Sequence, residues 1–259
     1  MRAWICILSL NLLSSVTHAE EKKEPPSKPE LPVARIIAPL VIPVGSNLPI
    51  RIRGDHLDKA KKMILELDGE TFEFDPTDKK ADLGEIKGFD NKEIGSTMCM
   101  AECSIPADWV GKAFNVSIMT EGGQTEAMIC RVAGEKEISE KEPNQGFKDA
   151  QPIKASQSVF GEINHDKDVD VFSISLKAGQ KIRISVMTNT RTTLIDPLVS
   201  VFDRNGSQVS GQDDSGLDRD PDFVFSPPTE ATWFIVLQDA HRLGSEWHAY
   251  TLKVSESTK

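Results

Sequence analysis

Residues 140–153 read EKEPNQGFKDAQPI and lie between two β-rich halves of a 259-residue chain. Glu140 and Glu142 stand at i and i+2, Pro143 stiffens the backbone beside them, and Asn144 adds an amide. Such side chains present oxygens to a hard divalent cation, or simply to water. Two readings are open: a solvated linker, or a segment that folds back and carries its acidic oxygens to one place, making an ion-controlled module. A second acidic stretch, GQDDSGLDRDPD, spaces Asp218, Asp220 and Asp222 at i, i+2 and i+4. That spacing is shared with the start of an EF-hand loop, but the loop glycine and the distant glutamate are missing. A solvated loop is the preferred reading there.

Catalytic signatures are absent from the sequence. There is no Gly-x-Ser-x-Gly, His-Glu-x-x-His, phosphate loop or Cys-x-x-Cys. His18, His56, His165, His241 and His248 have no partner specified by spacing and read as surface histidines. The chain is expected not to be an enzyme. Cys99 and Cys103 alternate onto one strand face, where residues four apart are separated by roughly 13 Å, too far for a disulfide. Cys130 could reach one of them only from a neighbouring strand. Buried apolar thiols, with at most one disulfide, are the expectation.

These residues need elements to hold them. At the N-terminus, Arg2, the apolar run AWICILSLNLLSSV and the small residues before Glu20 have the order of a secretory signal cleaved after Ala19. The apolar run is shorter than the ~20 residues that a membrane span requires. Residues 20–33 are charged and proline-rich and read as a disordered leader. The formal charge of −10 becomes about −11 once Arg2 is removed, which disfavours nucleic acid and anionic membrane surfaces as partners.

From Ala34 the pattern is β. Leu48, Ile50 and Ile52 alternate against Pro49, Arg51 and Arg53. MILELDGETFEF reads as a hairpin turning at Asp68-Gly69. Residues 75–95 read as a loop or insertion. FNVSIMTEGGQTEAMICRV reads as a second hairpin, with Phe114, Val116 and Ile118 on one face and Ala127 and Ile129 on the returning strand. In the second half, Phe172, Ile174 and Leu176 alternate, as do Ile182, Ile184 and Val186, and Tyr250, Leu252 and Val254. TWFIVLQ is apolar on both faces, as a central strand would be, and Trp233 is expected in the core. Trp247, His248 and Tyr250 are candidates for a contact surface, with edge packing the favoured role. The expected fold class is all-β: two β-sandwiches in series, the first immunoglobulin-like and the second jelly-roll-like.

The segments IPVGSNLPIRIRGDHL and IPADWVGKAFNVSIMTEGGQT resemble the IPT/TIG group of immunoglobulin-like domains. EKEPNQGFKDAQPI, VFGEINHDKDVDVFSISLKAGQKIRISV, VFDRNGSQVSGQDDSG and ATWFIVLQDA followed by WHAYTLKV resemble, in family order, the bacterial pre-peptidase C-terminal domain. The resemblance implies a sandwich attached to secreted bacterial proteins, usually proteases, that aids export or localisation or binds an extracellular polymer and does no chemistry itself. It also implies calcium, because some members use the acidic linker as a metal site. Carried over by position, the ligands are Glu140, Glu142 and Asn144 from the linker, with Asp168 and Asp170 from DKDVDVF. Two departures are visible: Gln145 stands where the family commonly has Asp, and Lys167 interrupts the second acidic run. The metal-free alternative has Asn144 capping a turn, solvated glutamates, and the two aspartates bonding backbone amides at the strand entry.

The organisation expected is therefore a signal peptide at 1–19, the leader at 20–33, an immunoglobulin-like sandwich at 34–134, an acidic linker at 135–154 and the pre-peptidase-type sandwich at 155–255. The function expected is a secreted, non-catalytic binding or adhesion module in the periplasm, at the cell surface or outside the cell. Its partner would be an extracellular polymer or an envelope protein. The competing reading is a targeting or regulatory appendage of a separately encoded secreted protease.

Overall fold

A computed structural model describes residues 28–257, apart from 110, 189–191, 217 and 218. The expected signal peptide and most of the leader lie outside the described residues. No described helix is long and apolar enough to cross a membrane.

The first half contains β1 (Val33–Ala38), β2 (Val41–Ile42), β3 (Asn47–Asp55), β4 (Lys62–Leu67), β5 (Glu70–Phe74), β6 (Asp78–Lys80), β7 (Thr97–Ser104), β8 (Ala113–Met119) and β9 (Met128–Val132). They form one sheet in the order β1-β3-β7-β6 and a second in the order β2-β9-β8-β4-β5. This strand order is that of an immunoglobulin-type sandwich. The hairpin at Asp68-Gly69 forms as expected, both residues taking positive φ (51° and 89°) as a tight two-residue turn requires. Ile37, Ile50, Ile52, Met63, Leu65, Val116 and Ile118 fill the space between the sheets.

Three features differ from the expected pattern. On β9 it is Met128, Cys130 and Val132 that point inward, while Ile129 is 58% exposed. Ile129 shares its face with Arg131, and the pairing of Phe114 with Cys130 turns the other face to the core. Arg53, on the supposedly solvated face of β3, is 1% exposed. Residues 75–95 cover it: its guanidinium donates to Gly95 O at 2.9 Å, Gly84 O at 3.1 Å and Asn91 Oδ1 at 3.0 Å. Burial lowers the pKa of this arginine, and hydrogen bonds to three oxygens offset the cost of desolvation. The supposed loop also carries β6 and a single helical turn, α1 (Asn91–Ile94), capped by the Asp90 carboxylate, which accepts from Lys92 N.

The second half contains β10 (Glu137–Ser139), β11 (Gln151–Ile153), β12 (Ser158–Glu162), β13 (Asp170–Leu176), β14 (Ile182–Met187), β15 (Pro197–Phe202), β16 (Gln208–Gln212), β17 (Asp222–Phe225), β18 (Ala231–Asp239) and β19 (Ala249–Glu256). Two five-stranded sheets result, β10-β12-β19-β14-β17 and β11-β13-β18-β15-β16. The alternating residues Phe172, Ile174, Leu176, Ile182, Ile184 and Val186 point inward as expected, and β18 runs centrally between β13 and β15 with Trp233 in the core. The acidic segment 135–154 is folded onto this sandwich. Its strands β10 and β11 pair in parallel with β12 and β13, one edge on each sheet. Gln151 ties them together, accepting from Lys141 N at 2.8 Å and donating to Ser139 O at 3.0 Å.

A third apolar cluster joins the two sandwiches. Ile36, Ala38, Ile94 and Met98 of the first meet Leu194 and Trp247 of the second, with Phe89 packed beside them. A backbone hydrogen bond from Ile37 N to Thr192 O crosses the same contact at 3.2 Å. Trp247, His248 and Tyr250 are 2%, 0% and 1% exposed, so they are packing residues and not a contact surface. Tyr250 packs in the core of the second sandwich, while Trp247, just ahead of β19, is covered by the first.

Cys99, Cys103 and Cys130 are all free and buried. Burial pushes each thiol up to about 12, so no reactive thiolate forms at neutral pH. The folded protein should therefore leave all three unmodified over hours with a maleimide at pH 7.5, and peptide mass spectrometry should find adducts at Cys99, Cys103 and Cys130 after denaturation. Rapid labelling of the native chain would contradict this packing.

Candidate functional site

The segment 140–144 reaches its position through main-chain contacts. Glu140 N donates to Phe160 O at 2.9 Å, alongside β12, and Val171 N donates to Asn144 O at 2.9 Å, at the start of β13. The acidic oxygens are thereby carried to the place where Asp170 begins its strand. One oxygen from each of Glu140, Glu142 and Asp170 lies within 4.8 Å of the others. The docking option raised by the sequence is the one adopted.

Glu140 is the centre of the cluster. Its Oε1 accepts from Asn144 Nδ2 at 2.8 Å and its Oε2 from Glu162 N at 3.0 Å. The carboxylate lies directly over Gly161, where a β-carbon would sit 2.0 Å from Oε2. Asp170 is fully buried; its Oδ2 accepts from the Tyr250 hydroxyl at 2.7 Å, no N–H or hydroxyl donor reaches its Oδ1, and the carboxyl hydrogen-bonds to that of Glu140 when a proton is shared between them. Asn144 is likewise fully buried, with its Oδ1 unpartnered. Glu142, at the exposed side, accepts from Asn144 N and from Gln145 Nε2, both at 3.0 Å.

Asp168 is placed differently from the other four. It is 2% exposed, but its oxygens accept from Asn164 N at 2.8 Å and Val169 N at 3.0 Å. That role belongs to the metal-free alternative for the strand entry. Lys167 is exposed, in a left-handed conformation with φ 66°, and its amide bonds Arg242 O. In the other acidic stretch, Asp220 accepts from Thr188 and Asp222 pairs with Arg183, while Asp218 lies outside the described residues. The histidines are dispersed: His56 faces Glu30, His165 faces Asp168, His241 faces Asp196, and His248 bonds Ser245.

Crowding shapes the electrostatics. Burial, then hydrogen bonding and repulsion from Glu140, push the Asp170 carboxyl up to about 10. Burial also raises Glu140, against the lowering effect of its hydrogen bonds. Glu162, buried and repelled by Glu140, is pushed up to about 7 even though Arg51 draws it down. Like carboxylates in a dry site cannot all ionise, so the cluster holds a proton at neutral pH unless another cation replaces it. Sequence reasoning missed Tyr250, Glu162 and Arg51. Tyr250 is the single tyrosine of the chain but sits in an ordinary strand pattern, and nothing local marks the other two.

The donors are oxygens only, from three carboxylates and an amide, and two of them are buried with no N–H or hydroxyl group reaching them. That composition fits a hard divalent cation such as calcium and does not suit zinc or copper. Glu140, Glu142, Asp170 and Asn144 are the residues that would hold it, with water at the exposed side of Glu142.

The strand that carries Asp170 opens the stretch recognised by a family model. Residues 168–239 match the bacterial pre-peptidase C-terminal domain. The match covers β13 to β18 of the second sandwich. Similar solved structures include the pre-peptidase C-terminal domain of a collagenase from Bacillus anthracis, at 15% identity over 45% of this chain and all of that one, with a TM-score of 0.33. A periplasmic inhibitor of g-type lysozyme from Aeromonas hydrophila is similar at 14% identity over 47% of this chain and 96% of that one, with a TM-score of 0.31. The secreted serine protease VesC from Vibrio cholerae is similar at 10% identity over 85% of this chain and 49% of that one, with a TM-score of 0.30. No curated protein matches the chain.

Proposed function

We propose that this chain is an exported, non-catalytic binding module whose acidic segment is set in place by a calcium-type cation. It would contact an extracellular polymer or an envelope partner through its outer surfaces, with an IPT/TIG-like sandwich leading and a pre-peptidase-type sandwich following. The family match at 168–239 supports the module reading. The observation that carries the cation is the pair of buried oxygens that no N–H or hydroxyl donor reaches, Asn144 Oδ1 and Asp170 Oδ1, where three carboxylates converge. An orphaned buried acceptor such as Asn144 Oδ1 costs about 1–3 kcal/mol, and an ion would accept its lone pair while replacing the proton that Asp170 otherwise shares with Glu140.

Calorimetric titration of the chelated protein (residues 20–259) with calcium chloride tests this directly. One site per chain is expected, with heat lost in Asp170→Asn, which keeps the shape but removes a charged ligand. A flat titration of the unsubstituted protein would remove the cation from the proposal. The partner is tested by recovering what the immobilised protein retains from an exported fraction. A polymer or an envelope protein agrees with the module reading, and a protease in stoichiometric amount would replace it with the appendage reading.

A further inference from the structure

The cation cluster is connected to the first sandwich through one residue. Glu162 N–H donates to Glu140 Oε2, and the Glu162 side chain accepts from Arg51 Nη2 at 3.1 Å through Oε1 and 3.4 Å through Oε2. Arg51 belongs to β3 of the first sandwich, 111 positions away. Both side chains are largely sheltered, at 23% and 19% exposure, and Arg51 Nε is buried with no partner of its own. They stand in a cleft of about 420 Å³ between the sandwiches. Its first wall is Pro39, Leu40, Val41, Leu48 and Pro49 together with Arg51; the facing wall includes Glu140, Glu142 and Glu162. The contact between the sandwiches thus has two sides, an apolar one around Trp247 and a charged one that shares a wall with the cluster.

We propose that cation binding at Glu140 and the contact between the two sandwiches are coupled through the Glu162–Arg51 ion pair. The inference rests on the cation reading above and adds its consequence for the whole chain. With no cation, the Glu140 carboxylate repels the Glu162 carboxylate while holding its backbone amide, so Glu162 is pulled two ways. A divalent ion neutralises Glu140, and the full attraction of Glu162 is then directed to Arg51. Gly161 keeps Glu140 close enough to strand β12 for this, since no side chain intervenes. Linkage makes the effect reciprocal: whatever fixes the first sandwich against the second also tightens the ion. The ion therefore closes the charged side of a joint whose other side is already apolar.

The amide of Ile37 reports on the joint, because its hydrogen bond to Thr192 O crosses between the sandwiches. Hydrogen exchange at this amide is to be measured in the whole protein, with chelator and with saturating calcium chloride, beside calorimetry on the same samples. Calcium should slow exchange at Ile37 by roughly fivefold or more, the scale of ordinary coupling between sites. Arg51→Met and Glu162→Gln replace neither proposed ligand side chain. Both should still give heat with calcium, and both should lose the slowing. Heat with an unchanged Ile37 rate in the unsubstituted protein would overturn the coupling alone, as would equal slowing in both variants. No heat in the unsubstituted protein would overturn the cation reading and the coupling together.

Discussion

Calcium at about one hundred times its dissociation constant should raise the melting midpoint of the chelated protein at pH 8.5 by roughly 5–10 °C. The same calcium concentration should give a clearly smaller increase at pH 6.5, where protons compete for the carboxylates and weaken binding. The direction follows from the buried carboxyls. Asp170 and Glu162 have folded-state values raised to about 10 and about 7, above those of an unfolded chain. A carboxyl raised in this way contributes stability that is fully present below its unfolded value and is lost as pH rises through the folded one. The chelated protein should therefore weaken between pH 6.5 and 8.5, where deprotonation leaves negative charges facing each other. Calcium takes the place of the proton, so the bound protein should show little of this decline. His248 does not confuse the window. Burial lowers its value from 6.5, so its own effect is a loss of stability on the acid side. Repeating the titration in buffers of different ionisation enthalpy should show proton release on binding, as expected when an ion displaces hydrogen from its ligands. Identical midpoints at both pH values, with and without calcium, would rule this account out.

Trp247→Ala should cost about 3–5 kcal/mol and divide one unfolding transition into two. Among the described residues Trp247 is the largest fully enclosed side chain, and its neighbours come from both sandwiches: Ile36, Ala38, Ile94 and Met98 on one side and Leu194 on the other. Its carbonyl also accepts from Leu194 N at 2.9 Å and from Thr193 Oγ1 at 2.9 Å, so the surrounding backbone is held and cannot collapse to fill the space. Removing the indole leaves each sandwich with its own core but takes away most of what makes them unfold together. Scanning calorimetry should show a single endotherm for the unsubstituted protein and two for the variant. One endotherm with a loss under about 1 kcal/mol would mean that the apolar contact between the sandwiches contributes little.

Much of the fold is legible in the sequence, because a sheet with one buried face writes itself as alternation. β3, β13, β14 and β19 are recognisable that way, and Asp68-Gly69 marks its hairpin by turn chemistry. The failures have a common origin. Arg53 and Trp247 are buried by segments distant in sequence, residues 75–95 and the opposite sandwich, and local patterning carries no trace of a second covering layer. Ile129 is a separate case: it shares its face with Arg131, and the register that sets Cys130 opposite Phe114 turns that face outward. For the site, Glu140, Glu142, Asn144 and Asp170 are legible through resemblance, and the structure brings them together. Asp168 stands apart because two backbone amides at the strand entry claim its oxygens. Tyr250 and Arg51 are invisible beforehand, since each reaches the cluster from a strand remote in the chain.

The acidic segment also decides where this protein can be cut. It furnishes an outermost strand to each of the two sheets behind it, β10 to one and β11 to the other. A recombinant fragment begun at residue 155 would strip both, baring two rows of unsatisfied amides and carbonyls on opposite layers. Such a fragment invites self-association that the intact chain avoids. The smallest autonomous piece of the second half therefore starts ahead of Glu137, well upstream of the stretch 168–239 that the family model matches.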